Sequence, residues 1–414
     1  MSMSFKNNHS VLLSADPGLL MAENTTGRNV PSALWGIGIS AILVASGVLG
    51  LLGWNTTSDS SSIFLAAAIL LACFCGIFGQ KDSTEGSGDV APIILLGGLG
   101  LGGVFNVEPI KGLCLIGLLG YAGFFLARHM VASLQKSLAL VHVFFAMILE
   151  VLAVFMEEGV HIVGVLFLLI TFLPLVPFHL PFLGIVRSSR ESLAGVWVVV
   201  WLASGLSRLK DLEGLLPLDG MELIPVLALA SAIYTSLKAM GHLLPRESIA
   251  NATITLLALL WGLIGELPHI AVWGIPFGIA VALLMSAMLC SYAFLYERYG
   301  THNLVTLQGL GSGLPRFRGV FTFLISLIML LPVLPMVGGF RTLPFDVSGS
   351  HALLPVWLLV FTVWLSISWV FTTLLHRTAF GKPRSDVPDY DLSFYELWTL
   401  LLLMGMAGLL AMLA

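Results

Sequence analysis

The stretch that decides the fold is Val160 to Glu191, with Phe172-Leu173-Pro174-Leu175-Val176-Pro177-Phe178-His179 at its centre, then Pro181, and Arg187 and Arg190 at its end. Its flanks are apolar enough to be helical in a bilayer. A proline inside a helix removes an amide donor and crowds the preceding turn. Three of them in succession leave carbonyls without amide partners, and lipid offers no substitute. The break must therefore face other helices or a wet cavity, with the His179 imidazole as the polar group expected there. The remaining chain reads as the bundle that shelters it.

Composition agrees with that reading. Of 414 residues, 57% are hydrophobic and only 10% charged, and the mean hydropathy is +0.98. A soluble protein of this size could not cover its surface with so few charges, so the fold class is an all-α polytopic membrane protein whose first partner is the lipid bilayer. The net charge of -4 is spread among loops and forms no basic patch, which excludes nucleic acid. The first 30 or so residues are polar and lack the charged-then-apolar order of a cleaved signal. Residues 1–32 are accordingly expected as a retained cytoplasmic segment, and 33–414 as a single transmembrane domain. Cys73, Cys75, Cys114 and Cys290 all lie in apolar segments and read as small buried hydrophobes. The chain holds no nucleotide loop, zinc spacing, haem attachment or nucleophile elbow, so no catalytic centre, metal or cofactor is expected.

A hydrocarbon core of about 30 Å needs roughly 20 apolar residues per helix. About thirteen runs meet or approach this: 34–54, 61–79, 91–106, 110–128, 137–156, 162–185, 193–206, 223–240, 248–265, 271–296, 319–339, 353–375 and 394–414. The charges between them check the count, because cytoplasmic loops collect lysine and arginine. Arg128 with Lys136, Arg187 with Arg190, Arg246, the group Arg298, Arg316 and Arg318, and Arg377, Lys382 and Arg384 fall on one side. Glu157, Glu158, Glu266 and Asp346 fall on the other, with a mostly acidic loop at 208–222 that also contains Arg208 and Lys210. This order places the N-terminus in the cytoplasm and the C-terminus outside, in a bacterial inner membrane.

Several segments, taken in order and at matching gaps, resemble the antiporter-like membrane subunits shared by respiratory complex I, membrane-bound hydrogenases and Mrp-type sodium/proton antiporters. Phe172 to His179 is similar to that family's Lys-x-Pro-x-x-Pro-Phe-His segment. Leu193-Ala194-Gly195 with Gly205-Leu206-Ser207-Arg208 is similar to its next helix. Leu295 to Thr301, Gly309-Leu310 and Pro315-Arg316 resemble its Glu-Arg-x-Gly-Thr and Gly-Gly-Leu loop. Leu334 to Phe340 resembles its second break, and Leu375 to Gly381 the loop after its penultimate long helix. The resemblance covers roughly residues 133 to 414.

The resemblance implies two inverted five-helix repeats with broken helices, here near 110–240 and 248–376, and a final helix at 394–414. It also implies a mid-membrane line of ionisable groups carrying protons, as buried charges in a bilayer mark ion paths. Carried over position by position, most of that line is absent. Its lysines, histidine and terminal charge fall on Phe172, on Val199 or Val200, on Val281 and Met285, and near Leu343. What remains is His179, and Arg246 in place of a lysine. Arginine keeps its proton at any accessible pH, so Arg246 can orient water or pair with an acid but cannot hand a proton on.

From the residues alone, Glu150 is the sharpest further candidate, set well inside the segment 137–156, where desolvation favours its neutral form. His142 lies eight positions earlier, about 80° round the helix. The two could border one polar strip with Lys136 at its cytoplasmic end. That strip is either a replacement proton relay or a neutral acid bonded to a neighbouring helix. Lys238 and His242 read as a snorkelling cation and an interface residue, Arg341 as an outer anchor, and Trp35, Trp54, Trp273 and Trp398 as interfacial anchors. Glu297 and Arg298, adjacent and so facing apart, are expected to fix their loop to a neighbour.

Two functions follow from the resemblance. The chain is an antiporter-like subunit of a proton-translocating complex related to NADH-quinone oxidoreductase or Mrp antiporters, with other membrane subunits and a soluble or peripheral energy-supplying partner. Alternatively, it is a structural or docking subunit of such a complex, or the membrane half of an inorganic-carbon uptake system.

Overall fold

The computed structural model describes residues 60–78, 90–106, 109–155, 158–212, 223–264, 270–300, 304, 307–335, 353–380 and 391–413. Among them the secondary structure is helical throughout. The helices are α1 (Ser60–Phe78), α2 (Val90–Phe105), α3 (Ile110–His129), α4 (Leu134–Phe155), α5 (Glu158–Phe172) and α6 (Leu180–Ser188). They continue as α7 (Glu191–Leu212), α8 (Leu223–Gly241), α9 (Pro245–Leu263), α10 (Ile270–Tyr299), α11 (Pro315–Leu330), α12 (Leu353–Ala379) and α13 (Phe394–Leu413). Each apolar run from 61 onward corresponds to one of these, with 162–185 divided between α5 and α6. The run 34–54 and the segment 1–32 lie outside the described residues. Among the described residues eight helices are long and apolar enough to cross a membrane, and α1 and α2 are shorter apolar helices.

Helix starts follow local chemistry. α9 and α11 open on Pro245 and Pro315, and α6 has Pro181 in its first turn. There the missing amide costs nothing, because the first turn has no intrahelical acceptor for it. The glycine-rich α2 holds because its glycines admit close neighbours, as small residues do at helix contacts in membranes. A Cβ at Gly100 would stand 2.9 Å from Val200 Cγ1 of α7.

Neighbour relations form two rings. In the first, α2 touches α3, α3 touches α4, α4 touches α5, the broken pair α5/α6 touches α7, and α7 returns to α2. In the second, α8, α9, α10, α11 and α12 follow the same circuit, and α12 returns to α8. The broken pair α5/α6 is fourth in the first ring, and α11, which ends in a 3-10 turn, is fourth in the second. α5 stops at Phe172 and α6 resumes at Leu180, while α11 tightens into a 3-10 turn at Leu331–Val333 around Pro332. The second break is expected at Leu334 to Phe340; of these Leu334 and Pro335 are described and helical, and residues 336–340 lie outside the described residues.

The rings join through α7 on α10 and α6 on α9, and α1 and α13 close over α10. α7 and α10 are therefore buried almost throughout. By contrast α4 and α8 show apolar faces outward, among them Phe144, Phe145, Val226 and Leu237, as lipid-facing helices do.

Candidate functional site at the first helix break

The groups freed by the prolines find partners on three other helices. The indole Nε1 of Trp201 on α7 donates to the Thr171 carbonyl at 3.0 Å, and that of Trp261 on α9 donates to the Leu173 carbonyl at 2.9 Å. The Val176 amide donates to Ser231 Oγ on α8 at 3.1 Å. The break is thus satisfied by protein, as a bilayer requires.

These partners join the one expected. His179 caps α6 with its backbone, its carbonyl accepting from the Leu183 amide at 3.1 Å. Its ring lies edge-on to Tyr234 at 6.0 Å and bonds to the Pro177 backbone, so the imidazole serves the break beside the two indoles and the serine. The tryptophans depart from the interfacial reading. Trp273 is fully buried, as are Trp197, Trp201 and Trp261, and of these Trp201 and Trp261 carry the indole donors that serve the break. Trp398 is 48% exposed, while Trp35 and Trp54 lie outside the described residues.

Glu150 points into the bundle and is completely buried. Its partner is Arg208, whose Nη2 donates to the Glu150 Oε1. The sequence reading put Arg208 in an outer loop because the apolar run ended at 206. In fact α7 continues to Leu212 and carries Arg208 inward, only 3% exposed. The acid is thus bonded to a neighbouring helix, α7, through an arginine, and the two side chains meet inside the bundle.

His142 does not share a polar strip with Glu150. The two are about 12 Å apart along α4, at 1.5 Å per residue, and engage different neighbours. His142 Nε2 lies 2.9 Å from Thr171 Oγ1, which itself donates to the Phe167 carbonyl, so the imidazole is the donor in this pair. Its ring is flanked by Phe167 and Phe178 at 5.1 and 5.6 Å. Lys136 turns away and donates to the carbonyls of Ala127 and Met130 at 2.6 and 2.9 Å, capping the end of α3. Arg246 caps α6 in the same way, through the carbonyls of Arg187 and Ser189 at 3.0 and 2.6 Å. A cation at a helix C-terminus meets orphan carbonyls and the negative end of the dipole.

Phe172, Val199, Val200, Val281 and Met285 are all fully buried. Phe172 packs on Trp201 with ring centroids 4.9 Å apart. Leu343 and Arg341 lie outside the described residues.

One polar feature escaped the sequence reading. Thr235 Oγ1 of α8 and Thr255 Oγ1 of α9 meet at 2.8 Å, and Ser231 and Asn251 stand one turn away, all four buried. Beyond them Glu247 holds His242 Nδ1 at 2.7 Å and Arg187 Nε at 2.8 Å. The signal was present as small polar residues four apart, Ser231 with Thr235 and Asn251 with Thr255, which share a helix face.

No protein-family model matches the chain. In sequence, 187 residues are 28% identical to NADH-quinone oxidoreductase subunit M of Pseudomonas aeruginosa, a match covering 45% of this chain and 34% of that relative. The matched part therefore spans about a third of the relative's length. In structure, the fold is similar to a chain of respiratory complex I from Thermus thermophilus, with TM-score 0.63 and 17% identity over 86% of this chain and 85% of that one. It is similar to a chain of the archaeal membrane-bound sulfane sulfur reductase, with TM-score 0.68 and 14% identity over 85% and 64%. A chain of the Mrp complex from Dietzia sp. gives 0.62 and 12% over 85% and 77%.

Proposed function

We propose that this integral membrane protein, similar in sequence and in fold to the antiporter-like membrane subunits, is such a subunit in a multi-subunit ion-translocating complex and serves it as a structural, docking member. The known proteins it resembles in fold belong to multi-subunit membrane assemblies, which supports neighbouring membrane subunits and a peripheral energy-supplying partner. The observation that carries the structural role is the Glu150–Arg208 pair. Glu150 is the candidate acid best placed within a span, and it is held by a cation that keeps its proton.

The apolar packing at Phe172, Val199, Val200, Val281 and Met285 supports the same reading. So do Lys136 and Arg246, which close helix ends and leave the interior. Each ring has five spans, and an odd number turns the next copy over in the membrane. Inverted repeats at 90–212 and 223–379 suit the neighbour pattern, one helix earlier than the sequence division at the first boundary.

The test is proton flux through the purified native complex in vesicles, with subunits identified by mass spectrometry. With Glu150 and Arg208 replaced together by Gln and Met, assembly and flux stay at wild-type level. Flux that falls while assembly is intact overturns the structural role.

A second reading, residual proton entry, has one observation in its favour. The buried hydroxyls of Ser231, Thr235 and Thr255 lie between the Glu247–His242 pair and the break. Under it, Thr255→Val lowers flux severalfold without loss of assembly.

A further inference from the structure

At the arginine-rich face the end of α3 is closed by Lys136, a few positions further along the chain. α11 is different. It opens on Pro315 after Leu314, which supplies no side-chain cap, so its first amides have no local acceptor. They are taken by Asp391, 75 positions later in the chain. The Arg316 amide donates to Asp391 Oδ2 at 2.7 Å and the Phe317 amide to Oδ1 at 3.1 Å. The Arg318 amide already reaches the Leu314 carbonyl. Asp391 therefore serves the two amides that the helix cannot satisfy itself, and its negative charge sits at the positive end of the dipole.

Asp391 is in turn held from two sides. Arg298, at the end of α10, donates to the Phe294 carbonyl at 2.8 Å, to the Asp391 carbonyl at 3.3 Å and to Glu396 Oε2 at 2.6 Å. Glu396 accepts from the Ser393 amide at 2.6 Å while Ser393 Oγ accepts from the Glu396 amide at 3.4 Å, a reciprocal box that starts α13. The expectation that Arg298 ties its surroundings to a neighbour is met here by α13.

We propose that residues 391–396 are a latch for α11, the fourth span of the second ring. Seating α13 against Arg298 delivers Asp391 to α11, so the entry of that span is held only while the last helix is docked. α10, α11 and α13 then behave as one unit at this end, and loosening any of them loosens the others. The latch does not depend on whether the chain conducts protons.

The experiment is hydrogen exchange, read by mass spectrometry on the full chain in its complex. In Asp391→Ala, exchange at Arg316 and Phe317 rises about tenfold, the size of losing one helix cap, and Asp391→Asn, which keeps an acceptor oxygen, falls between. In Arg298→Ala the same two amides exchange faster, although Arg298 touches neither. Should Arg298→Ala assemble poorly, Glu396→Gln gives a milder form of the same loss. Unchanged exchange at 316–317 in Asp391→Ala removes the cap. A rise confined to 391–400 in Arg298→Ala or Glu396→Gln removes the latch and leaves only an isolated cap.

Discussion

Arg208 Nη2 and Glu150 Oε1 join α7 to α4 across 58 positions of sequence, with both side chains almost wholly inside the bundle. A charge pair there is costly to desolvate and is stable only as a pair. That coupling sets the first prediction. Glu150→Gln or Arg208→Met alone lowers stability by about 3–5 kcal/mol, because each leaves its partner buried and uncompensated. The double variant recovers most of the loss. Thermal unfolding of the purified protein in detergent, run as a double-mutant cycle, measures the coupling, and additive losses would contradict it.

Removing an indole donor from the break has a different signature. Trp201→Phe and Trp261→Phe each strand a carbonyl, Thr171 O and Leu173 O, and cost about 1–3 kcal/mol. Trp197→Phe is the control, since its Nε1 has no hydrogen-bond partner among the described residues. Its loss is smaller than either. Equal losses for all three would assign the effect to packing alone.

Glycine substitutions report how closely helices approach the break. A Cβ at Gly205 would lie 2.9 Å from Phe172 Cβ and 2.8 Å from Leu173 Cγ, so Gly205→Ala pushes α7 off the broken span. The expected cost is about 1–3 kcal/mol, the range for overpacking. Gly405, with open space around its Cβ position, accepts alanine without loss. Melting temperatures of the two variants give the comparison directly.

Returning a charge to the packed axis separates the two functional readings. Val200 touches the Gly100 position of α2 and has no room for an ammonium. Val200→Lys is expected to abolish assembly or cost more than about 3 kcal/mol, as an unpaired buried charge does. A folded, fully assembled Val200→Lys complex would reveal a hydrated interior and favour proton entry. Expression level and size-exclusion profile decide it.

Much of this protein was legible before its structure. Hydropathy located the spans, since a run long enough to cross hydrocarbon can be counted residue by residue. The three prolines located the first break, because the backbone rule they violate is local. Arg208 was misplaced for a related reason. Hydropathy averages over a window, and a cation near the end of an apolar run looks like the start of a loop.

What only the tertiary structure decided is which distant groups answer each other. Trp261 serves a carbonyl 88 positions away, Arg208 serves Glu150, and Asp391 serves amides of a helix that begins 76 residues before it. Local pattern states that a helix end or a broken turn needs a partner. It does not name one, because in a bundle several helices bring donors within reach and packing selects among them. The sequence by itself determined a broken-helix membrane bundle, and the fold determined that its buried acid would be held by an arginine.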